Sequence, residues 1–344
     1  MSKKSIFNFS KDQLIEEFSI AGYKKFKAKQ LFSWLYQKNV FDVNEMSDLS
    51  KDFRKYLLEN YDFSLLSIER KQLSTDGTLK ILFKCADGAL IESVVMRHNY
   101  GNSICVTSQV GCLMGCSFCA SGLLKKERDL SQAELALQLI QMQQEIKERI
   151  SNVVVMGSGE PFDNYDNVIG FANLINDDNG LAIGARHITI STCGLIKGIE
   201  KFKYEKQYNL AISLHSAIDS KRSMLMPINK VHNLSALKQA ILNYQSVKNR
   251  RVSFEYILLK GINDGSDDVQ ALAVFLKDIK NAYVNLIPYN SVAEMEYNGV
   301  NDFDALKFYD LLKKANVAVT LRTKHGEDID AACGQLRNKV KNGG

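Results

Sequence analysis

The chain has 344 residues, of which 45% are hydrophobic and 24% are charged, and its formal net charge at pH 7 is +5. This composition excludes an intrinsically disordered protein, and the length allows one large α/β domain with a small accessory domain. No stretch approaches the roughly 18 apolar residues of a membrane span, and the N-terminus lacks the apolar core and cleavage site of a secretory signal. We therefore expect a cytoplasmic protein. Its charge is compatible with a polyanionic partner without requiring one.

The first part of the chain has helical periodicity. Apolar residues recur every three to four positions within residues 11–22, 26–39 and 51–61, which predicts a helical accessory domain over residues 1–62. The same region carries a group of basic and aromatic residues: Lys24, Lys25, Phe26, Lys27, Lys29, Trp34 and Tyr36. Such a group can lie along an RNA backbone, and it is equally typical of a solvated lysine face above an aromatic core.

Two turn signals follow, Asp76-Gly77 and Asp87-Gly88. They bracket TLKILFKCA and lead into ALIESVVMR, which predicts a β-hairpin or short meander over residues 63–98. Glu92 lies on an alternating strand of this extension, where an exposed carboxylate is common.

From residue 99 to residue 344 the pattern becomes a series of strands and helices. Six β-rich runs are each followed by a loop and a segment, such as SQAELALQLIQMQQEIKER, with helical periodicity. Strands that alternate with helices favour a parallel sheet. We predict an α/β protein, a partial (βα)6 barrel with an N-terminal helical domain and a β-hairpin extension.

Cys112, Cys116 and Cys119 in GCLMGCSFC lie just past the first strand of this series, at the edge where barrel enzymes place their active sites. The chain has seven cysteines and no export signal, which favours metal binding or catalysis over a disulfide scaffold. Three closely spaced thiolates can hold three irons of a 4Fe–4S cluster and leave the fourth iron open to an outside ligand. A structural zinc site and a chance group of buried cysteines are the alternatives.

The cysteine motif, followed by Gly157-Ser158-Gly159-Glu160 after the second strand, resembles the radical S-adenosylmethionine (SAM) superfamily. Further segments resemble the RlmN/Cfr family of RNA adenine methyltransferases: GSGEP, ITISTCG, AISLHS, LMPINK, EYILLKGIND, VNLIPYN and GEDIDAACGQL. The last of these is long and very specific. The sequence departs from the family pattern at Ser158, Cys193 and Ser291. These departures affect the detailed geometry of the pocket and not the expected reaction. Cys85 and Cys193 are interpreted as structural.

The resemblance implies a role for each matching residue. Cys112, Cys116 and Cys119 bind the 4Fe–4S cluster, whose open iron SAM fills with its amino and carboxylate groups. The residues implied to line the SAM pocket are Gly159, Glu160, Ser191, Ser213, Leu214, His215 and Asn290. Cys333 is the thiol that becomes methylated, Cys105 is a second catalytic thiol, and Glu92 is a general base.

This family's reaction needs two thiols because C2 of adenine is too poor a nucleophile to attack the SAM methyl group directly. In the family's mechanism one SAM methylates Cys333, and a second SAM yields a radical that takes a hydrogen from that methyl group. The resulting carbon radical adds to C2, which joins the RNA to Cys333. After the C2 proton is lost, Cys105 attacks the Cys333 sulfur and leaves a disulfide.

The resemblance also implies partners. The substrates are ribosomal and transfer RNA, a flavodoxin or ferredoxin supplies the electron, and the protein is a monomer. Arg322, Lys324 and His325 precede the Cys333 segment, where they can contact RNA phosphates or form a solvated basic strand end.

Two other functions remain open. The first is a Cfr-type enzyme that methylates C8 of adenine in ribosomal RNA. Pro161 and Pro288 argue against it, since proline at these two positions resembles the RlmN branch of the family. The second is a non-catalytic RNA-binding protein in which the three cysteines hold zinc.

Overall fold

The computed structural model describes residues 3–291, 295–323 and 325–329. Strand β1 (Lys4–Ser5) begins the described chain, and three helices lie where the periodicity places them: α1 (Lys11–Ile20), α2 (Phe26–Tyr36) and α3 (Lys51–Asn60). Helix α1 starts with a capping box, in which Ser10 and Gln13 each satisfy the other's backbone amide. Strand β2 (Tyr61–Asp62) then pairs in parallel with β1 and closes this segment.

The remaining strands follow in chain order: β3 (Ser67–Leu73), β4 (Leu79–Lys84), β5 (Leu90–Met96), β6 (Asn102–Val106), β7 (Gln109–Val110), β8 (Arg128–Asp129), β9 (Ile150–Val155), β10 (Ile188–Thr192), β11 (Asn209–Ser213), β12 (Val252–Leu258), β13 (Ala282–Pro288) and β14 (Val319–Leu321). The helices among them are α4 (Gln132–Ile146), α5 (Tyr165–Ile175), α6 (Ile196–Phe202), α7 (Asp219–Leu225), α8 (Leu234–Val247), α9 (Ser266–Leu276) and α10 (Asp302–Lys314). Short 3₁₀ helices span Ile6–Asn8, Val43–Glu45, Ala120–Leu123, Pro161–Asn164, Ala185–His187, Pro227–Lys230 and Glu327–Ile329.

Ten strands form one sheet in the order β14-β13-β12-β11-β10-β9-β6-β5-β4-β3. From β6 to β14 the neighbouring strands are parallel and alternate with helices along the chain, which confirms the predicted α/β architecture. The predicted hairpin extension is a three-stranded antiparallel meander, and β5 pairs with β6. The extension is therefore continuous with the parallel sheet.

The two faces of this sheet differ in chemistry. On one face, apolar strand residues such as Ile104, Ile190 and Phe254 pack with helix residues such as Leu135 and Leu139 in one large core. Residues opposite each other on neighbouring strands share a face. The alternate positions thus form a second face, here called the inner face, through the pairs Lys80↔Val94, Val94↔Cys105, Cys105↔Val154, Thr189↔Val154, Ser191↔Ala211 and Ser213↔Glu255.

The inner face carries polar side chains and the Cys105 thiol, where the opposite face carries a packed core. The register therefore brings residues from β4 to β12 onto one surface. None of the helices within the described ranges has both the length and the apolar character to span a bilayer.

Candidate active site

The three motif cysteines lie on one loop between β7 and β8, whose antiparallel pairing closes its base. The Cys112 amide donates a hydrogen bond to the Leu124 carbonyl at 3.1 Å, which ties the start of the loop to its end. Gly111 begins the loop with a φ of +74°, and a β carbon there would lie 2.1 Å from the Lys125 carbonyl oxygen. Only glycine fits this position.

The cysteine thiols are close enough to influence one another's ionisation. Burial raises the pKa of Cys112 to about 11, and Cys119 adds to this shift. Burial also raises the pKa of Cys116, again with contributions from Cys119 and Cys112. Buried thiolates need a cation beside them, which an iron–sulfur cluster provides.

The three thiols lie within eight residues of one another along the loop. Within the described part of the chain, no three Cys, His, Asp or Glu side chains converge on one point as a single metal ion requires. In a cubane each cysteine binds a different iron, so the three sulfurs need not converge.

A cavity opens beside the three cysteines and is lined by residues of several strand ends. Five of the seven predicted pocket residues line it: Gly159, Glu160, Ser191, Ser213 and His215. It reaches across the ends of β9, β10, β11 and β12, so the cysteine loop and the predicted pocket form one site.

Glycines bring the backbone of residues 157–160 against the neighbouring strand. A β carbon on Gly157 would lie 2.8 Å from the Thr107 backbone nitrogen. Gly159 has a φ of +102°, and a β carbon there would lie 2.7 Å from the Ser108 Oγ. This close packing is more than an ordinary turn requires, and it places Glu160 in the cavity wall.

The Glu160 carboxylate is buried and oriented by two backbone amides. Its Oε1 accepts from the Phe162 N–H at 3.0 Å, and its Oε2 accepts from the Cys193 N–H at 2.8 Å. Burial raises the pKa of Glu160, although these hydrogen bonds act in the opposite direction. The side chains of Thr192 and Cys193 also hydrogen-bond to this carboxylate, which is therefore a fixed anionic group in the cavity wall and suits the ammonium group of an amino acid.

His215 is held as a neutral hydrogen-bond donor. The Ile257 amide donates to its Nδ1 at 3.1 Å, so the ring proton is on Nε2. Burial, assisted by Arg222, lowers the pKa of His215 to about 3. Nearby, the hydroxyls of Ser191 and Ser213 lie 3.5 Å apart at the cavity wall. The three side chains together offer donors and acceptors to a polar ligand.

Leu214 and Asn290, also predicted for this pocket, are not among the described residues that line the cavity. Leu214 is fully buried; its amide donates to the Glu255 carbonyl at 3.0 Å, and its carbonyl accepts from Arg222 at 3.1 Å. It thus fixes the backbone between two lining residues. Asn290 lies two residues beyond β13 and is half-buried.

Glu255 also lines the cavity, although it was not among the pocket residues predicted from the sequence. Asn285 donates to its Oε1 at 2.8 Å, while Oε2 is buried 3.7 Å from the Arg322 guanidinium and accepts no hydrogen bond from the described residues. Burial raises the pKa of Glu255. A lone acidic residue in the apolar strand VSFEYIL was the available signal.

Arg222 was also missed, since it lies in an ordinary helical segment of the sequence. It is completely buried and donates to the carbonyls of Cys193 at 2.7 Å and Ser213 at 3.2 Å, besides Leu214. Its charge acts to lower the pKa of Cys116 against the larger effect of burial. A fixed cation beside the cysteine loop suits the negative charge of the three thiolates.

The other predicted catalytic residues lie on the inner face at β5 and β6. Cys105 is opposite Val94, and Glu92 precedes Val94 by two residues and so shares its face. Glu92 is buried, contrary to the exposed position expected from alternation, because Lys80 on β4 lies 3.4 Å away as a buried counter-ion. The register, which the sequence does not reveal, assembles this pair.

Cys333 lies outside the described residues. Ile329, four positions earlier, packs with Val94 and Met96 against Cys105. The last described residue of the chain therefore lies beside the second predicted thiol.

The candidate RNA-contact residues divide into two groups. Lys24, Lys25 and Lys29 are exposed, as is Phe26 at 48%, whereas Tyr36 is buried in the helical core and is not available to RNA. At the other end of the chain, Arg322 faces Glu255 at 3.7 Å, and His325 lies 3.3 Å from Asp76. Both are thus engaged within the protein. Lys324 lies outside the described residues.

Several known proteins are similar to this chain in both sequence and fold. A model of the radical SAM superfamily matches residues 106–276, and a model of the ribosomal RNA large subunit methyltransferase N-terminal domain matches residues 4–62. A probable dual-specificity RNA methyltransferase RlmN of Listeria welshimeri is 50% identical over 347 aligned positions, covering 98% of this chain and 95% of that protein. A probable dual-specificity RNA methyltransferase RlmN of Staphylococcus aureus is 48% identical, and the alignment covers 98% of this chain and 94% of that protein.

Among solved structures, a radical SAM methyltransferase from Sphaerobacter thermophilus superposes with a TM-score of 0.92 at 34% identity, covering 97% of this chain and 99% of that one. Cysteine loop, cavity, fold and sequence all lead to the same assignment. The chain belongs to the RlmN family within the radical SAM superfamily.

Proposed function

We propose that this chain is a radical SAM methyltransferase that transfers a methyl group to C2 of adenine in ribosomal and transfer RNA. One observation carries the proposal: the register of a single sheet joins the cavity beside the three cysteines to the buried Glu92–Lys80 pair and Cys105. An enzyme that only cleaved SAM would have no need of the second group.

The 4Fe–4S cluster and SAM are the cofactors of this superfamily. Cys112, Cys116 and Cys119 would hold the cluster, which supplies the electron for reductive SAM cleavage when bound. Glu160 would bind the amino group of SAM, and the donors and acceptors of Ser191, Ser213 and His215 would orient its other polar groups. Apolar side chains, including Phe118 and Ile257, form part of the cavity wall.

Three side chains would act on the RNA. Cys333 carries the methyl-derived carbon to C2, Glu92 takes the C2 proton, and the unpaired electron of the adduct would return to the oxidised cluster that the three cysteines hold. The Cys105 thiolate then forms a bond to the Cys333 sulfur while the bond between that sulfur and the transferred carbon breaks, and this carbon, which keeps the electron pair and stays on the RNA, takes up a proton. The Lys80 ammonium neutralises the charge that Glu92 brings into this buried place.

The remaining partners follow from the proposed chemistry. Residues 1–62 would bind RNA through exposed Lys24, Lys25 and Lys29, with the exposed Phe26 ring available for stacking. The reductant would be a flavodoxin or ferredoxin, the working form a monomer, and the setting the cytoplasm, where ribosomes and transfer RNA are found.

The experiment is reaction of anaerobically reconstituted protein with an RNA fragment and SAM, followed by mass spectrometry of the modified adenosine. We expect the methyl group on C2. A methyl group on C8 would overturn the proposal in favour of the Cfr-type reaction, and a colourless zinc protein that cleaves no SAM would overturn the enzyme assignment altogether.

Variants of the two thiols test their roles in the same assay. Cys105→Ala should accumulate RNA covalently bound to protein, because the adduct forms and is not released, whereas Cys333→Ala should form no adduct. Denaturing gel electrophoresis separates the RNA–protein adduct from the free protein. Normal turnover by both variants would contradict the two-thiol scheme.

A further inference from the structure

A second cleft opens where β10, β11 and β12 begin, at the other end of these strands from the cysteine loop. Eight described residues line it, of which three are arginines, five are uncharged polar residues and none is acidic. The arginines are Arg186, Arg250 and Arg251, and we call the space that they line the arginine cleft. Three guanidinium groups with no carboxylate among the lining residues make it strongly positive.

Two of the three arginines are held in place by the neighbouring strands. Arg250 donates to the Tyr208 carbonyl at 3.2 Å and to Asn209 Oδ1 at 3.1 Å. The Arg251 guanidinium lies over the Tyr283 ring, 4.6 Å from its centre. This cation–π contact uses the face of the guanidinium, so its N–H groups can still donate to an anion.

The positive charges of the cleft are close enough to repel one another. Burial lowers the pKa of Arg250, and the charge of Arg186 adds to this shift although Tyr244 opposes it. Arg186 and Arg251 are exposed to solvent and can reach a ligand. A bound anion would relieve the repulsion, and the planar fork of arginine matches the oxygen atoms of a phosphate group.

The arginine cleft lies on the inner face, as Cys105 does. Cys105 opposes Val154, Val154 opposes Thr189, and Thr189 opposes Asn209. These four residues form one row across β6, β9, β10 and β11, and the last two line the cleft. Neighbouring strands are about 4.8 Å apart, so Thr189 lies about 10 Å from Cys105 along the sheet and Asn209 about 14 Å.

The cleft is also close to the cavity beside the cysteines. On β12, Ser253 lines the cleft and Glu255, two residues later, lines the cavity. Two residues of a strand span about 7 Å. An RNA strand of a few nucleotides can cross this distance, so a phosphate near the target nucleotide can lie among the arginines while the adenine is at the reaction centre.

We propose that the arginine cleft binds a backbone phosphate of the RNA substrate close to the target adenine and so aligns the RNA along the inner face. This inference rests on the proposed function. An acidic electron donor fits the cleft less well, because it must approach the cluster, and the cysteine loop lies at the other end of these strands. Phosphate contacts of this kind fix the position of a nucleic acid without reading its sequence.

The test measures RNA binding by the full-length reconstituted protein without SAM, so that no turnover occurs. Fluorescence anisotropy of a labelled RNA fragment that contains the target adenine gives the affinity at several salt concentrations. Each phosphate contact contributes about 0.7 to the slope of log affinity against log salt concentration. Arg186→Gln and Arg251→Gln should therefore each reduce the slope by about 0.7 and weaken binding roughly fivefold at about 0.1 M salt.

Lys307→Gln is the matched control. Lys307 is exposed on α10, whose buried residues pack in the large core on the opposite face of the sheet, so this variant removes the same charge away from the inner face. It should keep the wild-type slope. Arg251→Lys keeps the positive charge and should retain most of the slope. Circular dichroism verifies that each variant folds.

Uncharged linkages in the RNA locate the contact. Methylphosphonate groups, placed one at a time beside the target adenine, each remove the charge of one phosphate. One of them should weaken binding to the wild-type protein and have no further effect on the Arg186→Gln, Arg251→Gln double variant, because the partner of that phosphate is already absent.

The proposal is overturned if both glutamine variants keep the wild-type slope, or if no linkage depends on the arginines. Unchanged RNA binding with lost affinity for inorganic phosphate would assign the cleft to a free anion, and unchanged RNA binding with slower reduction by flavodoxin would assign it to the electron donor; either result also overturns it. Failure of the proposed function has a different signature, because the wild-type protein would then leave C2 of adenine unmethylated while its RNA binding still depended on the arginines.

Discussion

At position 215 a histidine has a left-handed backbone conformation, with a φ of +57°, that few residues other than glycine adopt. The strain is compensated by contacts on both sides: its carbonyl accepts from Asn263 at 2.7 Å, and its Nδ1 accepts from the Ile257 amide. The ring also packs edge-on against Phe118, with the centroids 4.8 Å apart. These contacts favour the neutral ring and leave Nε2–H for the cavity.

The buried histidine should make folding stability sensitive to acid. An unfolded histidine has a pKa near 6.5, whereas burial lowers the pKa of His215 to about 3. As pH falls below about 6.5, the unfolded chain binds a proton that the folded chain does not, so stability is lost progressively towards pH 3. Between pH 7 and pH 5 this single group should cost about 2 kcal/mol.

Asparagine tolerates the left-handed backbone conformation and does not titrate in this range. His215→Asn should therefore remove the loss of stability that His215 causes between pH 7 and pH 5. Anaerobic urea unfolding at pH 7 and pH 5 measures it. The exposed His187, changed to Asn, is the control and should keep the wild-type pH dependence. Equal acid sensitivity in wild type and His215→Asn would contradict the assignment.

At the scale of elements, α4 connects the sheet to the cysteine loop. It begins with a capping box formed by Ser131 and Glu134. Farther along, the fully buried Gln138 accepts from the Ser93 hydroxyl at 2.6 Å and the Thr107 amide at 2.9 Å, and donates to the Thr107 carbonyl at 3.0 Å. One glutamine thus satisfies the backbone at the end of β6, just before the cysteines.

Gln138→Leu should destabilise the protein by about 2–3 kcal/mol, because it leaves the Thr107 amide and carbonyl buried without partners. Urea unfolding measures the change. Gln239→Leu on α8 is the matched control, since Gln239 is exposed, and it should change stability by less than about 0.5 kcal/mol. A loss of similar size in the two variants would show that the network around Gln138 is not responsible.

At the scale of the whole molecule, the N-terminal helices and the sheet share one apolar core. Its residues run along the chain from Ile6 to Val317. Polar contacts cross the same boundary: Asn8 accepts from the Ala133 amide at 2.8 Å, and Lys11 pairs with Asp177 at 2.8 Å. Asn8 therefore acts as a cap for α4 from outside that helix. These contacts predict that the helical segment and the sheet unfold together.

Asn8→Ala tests this cooperativity. Loss of a cap costs about 1 kcal/mol, which is roughly a fivefold fall in the protection of amide hydrogens against exchange. If the molecule unfolds as one unit, native-state hydrogen exchange should show that fall in α1–α3 and in β6 and β9 alike. A fall confined to the helices would identify two independent units.

Local patterns were sufficient to predict much of this molecule. Strand and helix periodicity predicted the parallel βα series, and the spacing of Cys112, Cys116 and Cys119 predicted the cluster loop, because these signals lie within a few residues of one another. The resemblance added Glu160, Ser191, Ser213 and His215, which the cavity brings together. The roles of Cys105, Glu92 and Cys333 stay predictions.

The amino-acid sequence by itself determined the elements, their order and the three-cysteine loop, since these depend on short-range periodicity and spacing. Only the tertiary structure decided which residues oppose one another. Strand register buried Glu92 beside Lys80 and brought Glu255 into the cavity. Packing between elements distant in sequence enclosed Arg222 of α7 and joined Asp76 to Gly326. Such pairings depend on how distant strands align, and no local pattern records that alignment.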